Sequence, residues 1–282
     1  MTKPAPAQQQ PISISFSNEE LSGWSDLPPG VYRVPDSQTI ISGHQKGGIA
    51  GILFGPLGVL AQSAMNSSHG GSATKDVQET LKINLTSDAQ AIARTLTASG
   101  RFKDKFTSNE NAELPRLSVS TAVALTFVDD TNVRPYVVLK ASLYAAHATE
   151  SQWATRYMAS NGAPRPLVGP NSWTANEGEE LKKAIVGNLE SAIDFMLKDV
   201  SSPYERDANH LVLIQGSFPY VRKRLQLVGY QLAEDERSLV FVPRLGDVLV
   251  FAGVNIMDKS VTIHRPAKEG DLPFTTVDDS GK

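Results

Sequence analysis

The chain has 282 residues, a formal net charge of −3 and ordinary globular fractions of apolar and charged side chains. Its length allows two domains or one large one. It contains no cysteine, which excludes disulfides, thiolate chemistry and cysteine-ligated zinc, and its charge gives no basic footprint for nucleic acid.

The opening "MTKPAPAQQQPIS" lacks a charged region followed by an apolar one, so it does not read as a signal peptide. Residues 1–23 read as a flexible Pro/Gln-rich tether. Two settings suit such a start: a cytoplasmic protein with a disordered beginning, or a mature chain whose leader has been removed. Next, "LPPGVYRVPDSQTII" (27–41) reads as short extended pieces divided by turns.

Residues 47–65, "GGIAGILFGPLGVLAQSAM", form an apolar run without a formal charge. Gly47, Gly48, Gly51, Phe54, Gly55, Leu57, Gly58 and Leu60 are its candidate interaction residues. The run is just long enough to span a hydrocarbon core as one helix. Small residues at four-residue spacing also let helix backbones approach closely. Pro56 and the "FGPLG" turn chemistry favour splitting it into two arms. A hairpin packed on protein, a membrane contact and a self-association surface therefore remain open. All three place the segment against another surface.

"NSSHGGS" (66–72) closes the run as a loop. Residues 74–99 carry Val77, Leu81, Leu85, Ala89, Ile92, Ala93 and Leu96 at helical spacing, in one helix or in two broken near "INLTS". Residues 117–130, 134–146 and 151–160 then alternate apolar and small or polar side chains, as half-buried strands do. The short polar links "DDTNV" and "HATE" make them an antiparallel meander. Residues 172–199 give the clearest helix, with Leu181, Ile185, Leu189, Ala192, Ile193 and Met196 on one stripe. Asn176 and Glu179 form a capping-box-like start. From residue 208 onward, five β-like runs at short spacing suggest a small barrel or sandwich up to residue 266. Residues 267–282 read as a disordered polar tail.

The expected fold is α+β: an antiparallel meander covered by helices (74–207), then a small β-rich C-terminal domain (208–266). Residues 24–73, with their extended pieces and the glycine-rich segment, precede both.

No catalytic spacing stands out. His44, His69, His147, His210 and His264 include no close pair, and HExxH is absent. "GSF" (216–218) is not a nucleophile elbow. "SGHQKGG" (42–48) lacks the order that cradles phosphate. Asp129–Asp130 and Asp278–Asp279 read as turn and tail features rather than acid–base pairs. Trp153 and Tyr157 share one strand face and are read as structural, together with Leu189 and Ile193. Arg116, Arg134 and Arg156 are scattered over the meander and form no basic stripe. No cofactor and no metal is expected.

The segments "PYVVLKASLYAAHATESQWATRY" and "EELKKAIVGNLESAIDFMLKDV" carry Leu143, Trp153, Tyr157, Leu189, Ile193 and Leu197. Over about 65 residues they resemble bacterial periplasmic lipoproteins of the cell envelope, in the loose group of curli-secretion and TolB amino-domain-like accessory proteins. The resemblance implies a hairpin crossed by a helix, and a role in assembling or supporting envelope machinery. It implies a periplasmic, outer-membrane-associated setting, with the cytoplasm as the alternative. The functional expectation is a non-enzymatic, lipoprotein-like scaffold or assembly protein. Its partner would be an envelope protein or a second copy, with membrane contact and no nucleic acid. A soluble ligand-binding module and an enzyme with a site assembled from distant residues are the alternatives.

Overall fold

The computed structural model describes residues 2–17, 21, 24, 27–28, 31–43, 78–98, 100–109, 111–246 and 249–277. Three long strands form the centre: β5 (Arg116–Phe127), β6 (Asn132–Tyr144) and β7 (Ser151–Ser160). They pair antiparallel, with Leu117 opposite Leu143 and Val137 opposite Ala159. The first link is fixed by Asp129. Its carboxylate accepts hydrogen bonds from the backbone N–H groups of Thr131 and Asn132 and from the Asn132 amide. Burial pushes the Asp129 carboxyl up, but these donors outweigh it and hold it below its ordinary value.

Both edges of this unit are occupied by strands from distant parts of the chain. On β5 lie β1 (Ile12–Phe16) and β3 (Thr39–Ser42), both parallel to it. They share one edge: β1 takes the first half and β3 the second. β2 (Tyr32–Arg33) pairs with β3, and β4 (Phe106–Thr107) pairs parallel with β1. β8 (Arg165–Pro166) pairs with the start of β6. On β7 lies β12 (Val254–Asp258), also parallel. Through β12 the sheet continues into β11 (Ser238–Pro243), β10 (Val221–Glu234), β9 (Leu211–Phe218) and β13 (Ile263–Pro266). The long β10 repeats the shared-edge arrangement, pairing with both β11 and β14 (Phe274–Thr276).

The described residues thus form one mixed sheet of fourteen strands with two α-helices. This corrects the expected α+β meander covered by helices and followed by a separate barrel or sandwich. The antiparallel trio exists, but parallel partners extend it on both sides, and β9–β13 continue the same sheet. Residues 1–23, read as tether, include β1, whose Ile12 and Ile14 are buried. Ahead of it, Ala5 is buried and the Trp153 indole N–H donates to the Lys3 carbonyl at 3.0 Å. Residues 267–282, read as disordered, include β14.

Alternation along the strands sends side chains into two cores. Leu117, Val119, Val123 and Leu125 of β5, with Val137, Leu139 and Leu143 of β6, face α1 (Thr86–Ala98) and α2 (Glu179–Ser201). Leu181, Ile185, Leu189, Ala192, Ile193 and Met196 of α2 are all buried against that face. Each buried Leu, Ile or Met among them contributes roughly 1.5–3 kcal/mol. Ala122, Ala124, Tyr136 and Val138 point the other way. The β9–β10 hairpin covers them, bringing in Ile214, Phe218, Leu225 and Leu227, with Phe251 stacked 4.5 Å from Phe218. The Tyr220 N–H donates to Thr126 Oγ1 at 3.1 Å, tying that hairpin to the end of β5.

The start of α2 differs from the expected cap, and the described part of residues 74–99 is in two pieces broken near "INLTS". Residues 74–99 contain a short 3-10 turn (Glu79–Leu81) before α1, whose Thr86 N–H donates to Asn84 Oδ1 at 3.0 Å. α2 has no side-chain cap, so the Asn176–Glu179 box does not form. Instead Asn176, Glu177 and Gly178 take positive φ values of 49°, 56° and 75°. A tight left-handed turn brings the chain into the helix, with Glu179 and Glu180 in the first turn to complement its dipole.

The C-terminal segment is pinned by a bidentate pair. Arg265 Nη1 and Nη2 donate to the Asp271 carboxylate at 2.8 and 2.6 Å. The guanidinium, helped by the Lys268 N–H, pushes the Asp271 carboxyl down to about 2. A carboxyl depressed in the folded state supports structure above its ordinary value and loses that support as pH falls through the folded value. Acidification from pH 4 to pH 2 is therefore expected to loosen β14, seen as faster pepsin cleavage near residues 272–276. Asp271→Asn should show loosening without that pH dependence. A cleavage rate that is flat across this range would remove the pair as an anchor.

Candidate functional site

Of the residues singled out in the sequence, Gly47, Gly48, Gly51, Phe54, Gly55, Leu57, Gly58 and Leu60 lie outside the described residues. The nearest described residues on either side are Gly43 and Gln78. Gly43, at the end of β3, has φ 76°, and a Cβ there would stand 2.3 Å from the Phe127 carbonyl oxygen. Beside it, Ser42 Oγ and Thr126 Oγ1 share a buried hydrogen bond of 3.0 Å. On the return side, the Thr80 methyl packs 2.6 Å from where a Gly178 Cβ would stand. Gly178 neighbours Trp173, whose indole N–H donates to the Val133 carbonyl at 2.6 Å. Val133 is the register partner of Phe127. Gly43 and Thr80 are thus linked through Phe127, Val133, Trp173 and Gly178 at the β5–β6 end of the sheet.

Trp153, Tyr157, Leu189 and Ile193 are all buried in the helix-side core. His147, His210 and His264 sit apart, each near one carboxylate: Glu113, Asp207 and Glu234. No group of three or more potential metal ligands occurs among the described residues. Arg116 lies over the Tyr144 ring at 4.3 Å. Among the described residues, no helix is long and apolar enough to cross a membrane.

The structure adds a constellation that sequence spacing did not single out. Asp199 of α2 is fully buried. Its Oδ2 accepts the Tyr157 hydroxyl at 2.9 Å, and its Oδ1 accepts the Tyr204 N–H at 3.2 Å. The Arg206 guanidinium, 4% exposed, lies 3.6 Å from Asp199 Oδ2 and donates through Nη1 to the Tyr204 carbonyl at 2.7 Å. Phe195 stacks on Tyr204 at 5.1 Å. Burial first, and then the Asp199 charge, holds the Tyr157 phenol well above its ordinary value, so it stays a donor. The available signal was positional: Asp199 falls three residues after Met196 on the apolar stripe of α2, where a carboxylate needs a partner.

Above this cluster runs an open groove of about 1160 Å³ between α2 and the ends of β10, β11 and β12. Phe195, Tyr204, Val240 and Ile256 line it, together with charged residues of both signs. Asp194 is paired with Lys198 and Arg101, and Glu234 with Lys259 and His264. The Lys259 ammonium holds Glu234 below the usual carboxylate range, and the Ser238 and Arg237 N–H groups do the same for Asp235. These two carboxylates present fixed charge around an apolar lining. Such a surface suits recognition by complementary charge and shape.

No family model matches the chain, and no curated protein matches it. Among solved structures, a protein of Xanthomonas campestris in the family DUF330 aligns over 71% of this chain and 89% of its own, at 10% identity and a TM-score of 0.29. A likeness of that size assigns neither fold nor role.

Proposed function

We propose that the protein is a non-enzymatic scaffold or assembly factor of the bacterial cell envelope, lipoprotein-like in character. It works at the periplasmic side of the outer membrane. Gly47, Gly48, Gly51, Phe54, Gly55, Leu57, Gly58 and Leu60 dock to a protein partner, a second copy or the membrane. One observation supports the reading: the uncharged glycine-spaced run lies in the sequence between Gly43, set against Phe127, and Thr80, set against Gly178, and one chain of contacts joins the two at the β5–β6 end of the sheet. An uncharged apolar sequence of this length is disfavoured in free solvent.

Sedimentation of the full chain and of a variant lacking residues 47–65, with and without detergent, tests the reading. The intact chain is expected to self-associate, or to bind detergent or liposomes, and the deletion to remain a monomer with an unchanged melting transition. An intact chain that behaves as a detergent-indifferent monomer, just like the deletion variant, would overturn it.

A further inference from the structure

On the face of the sheet turned away from the helices, β6 carries Arg134, which is 6% exposed. Its Nε–H has no hydrogen-bond partner, and no carboxylate among the described residues comes within ion-pair distance of its guanidinium. Two residues on, the buried Tyr136 hydroxyl also lacks a partner. Burial holds that phenol well above its ordinary value, against the pull of the Arg134 charge, so it is a neutral donor. Both residues line one small cavity of about 20 Å³, together with Ser160, Ser217, Asp258 and Thr262.

The carboxylate in that lining is already engaged. Asp258 Oδ2 accepts the Gly162 N–H at 2.7 Å, and its Oδ1 accepts the Ser260 N–H at 2.8 Å. It eases the Arg134 charge from a distance without meeting its donors. Ser160 Oγ is engaged as well, donating to the Pro135 carbonyl at 2.9 Å. Two donors of the lining, the Arg134 Nε–H and the Tyr136 O–H, are therefore unspent beside the guanidinium. A buried charge without a hydrogen-bonded counter-charge is strongly disfavoured. A single water would satisfy the donors but leave the Arg134 charge balanced only at a distance, by Asp258. A monatomic anion satisfies both, and the space, on the order of one or two water-sized volumes, admits nothing much larger.

We propose that this cavity is a site for a small inorganic anion of halide size, held by the Arg134 Nε–H and the Tyr136 O–H. Ser217 of β9 lines the same cavity, so the ion would sit where the β9–β10 hairpin meets the central strands. This site is independent of the docking role proposed above.

Crystals of the full chain soaked in bromide are expected to show anomalous density in the cavity, within hydrogen-bond range of Arg134 Nε and Tyr136 Oη. In solution, replacing glutamate by chloride at constant ionic strength should raise the melting temperature saturably. Tyr136→Phe removes one donor and should weaken the apparent chloride affinity about tenfold, while Arg134→Met should abolish the response. Water density alone in bromide-soaked crystals would overturn the proposal. So would a melting temperature that follows total ionic strength whichever anion is present, as general screening would produce.

Discussion

Asp199→Ala is expected to lower the unfolding free energy by about 3–5 kcal/mol, as breaking one half of a buried ion pair does. The Asp199 side chain is fully buried and the Arg206 side chain is 4% exposed. Removing the carboxylate leaves a guanidinium whose Nε and Nη2 already lack hydrogen-bond partners. It also strands the Tyr157 hydroxyl and the Tyr204 N–H, which Asp199 accepts at 2.9 and 3.2 Å. Tyr157→Phe removes only one donor and should cost about 1–2 kcal/mol. The double change Asp199→Leu with Arg206→Met removes both charges together and should recover most of the loss. Urea denaturation, with the slope as a check on the denatured state, reads all three. If Asp199→Ala costs less than Tyr157→Phe, the pair does not behave as a buried charge couple.

The second large effect belongs to Gly43→Ala, expected to cost about 3 kcal/mol. A left-handed backbone costs a residue with a Cβ roughly 1–2 kcal/mol, and φ at Gly43 is 76°. The new methyl group would also stand 2.3 Å from the Phe127 carbonyl oxygen and 2.9 Å from its nitrogen. Those are backbone atoms of a paired strand, so relief requires moving β3 or β5, and overpacking of that kind typically costs a further 1–3 kcal/mol. Gly162→Ala separates the two terms: its φ is 83° and nothing lies within 4 Å of the added Cβ. Thermal denaturation of the two variants should place Gly43→Ala well below Gly162→Ala. Equal losses would show that the contact with Phe127 relaxes at no cost.

What the sequence disclosed is what local periodicity encodes. The stripe from Leu181 to Met196 repeats at helical spacing and is buried along its length. The alternation from Leu117 to Leu125 and the polar link after Asp129 marked a hairpin whose residues do pair antiparallel. Two signals pointed beyond a half-exposed meander. Val137, Val138 and Leu139 are consecutive apolar residues, as in strands covered on both faces. Ile12, Ile14 and Phe16 alternate inside a stretch whose prolines and glutamines gave it the look of a tether. Compositional weight over twenty residues masked a five-residue strand.

The rest was not local. That Val254 lies beside Tyr157, or that Thr39 lies beside Val123, depends on which strand edge stays unpaired after the hairpins have formed. No spacing within either segment encodes that choice. The same holds for the buried polar groups. Arg134 sits in a strand whose neighbours are apolar, and Asp199 on an apolar helix stripe. Each could be flagged as out of place, but its surroundings come from segments many residues away.

The parallel seating of β12 on β7 has a bearing on how the polypeptide is made. When Ser160 has left the ribosome, the outer edge of β7 has no partner, because Val254 lies roughly 90 residues downstream. At translation rates of about 5–20 residues per second, that edge stays bare for on the order of 5–20 s. Exposed strand edges invite pairing between molecules, and such long-range pairings also form slowly. The nascent protein thus passes through a window in which the bare edge of β7 is open to pairing with neighbouring copies, and it closes only when β12 arrives.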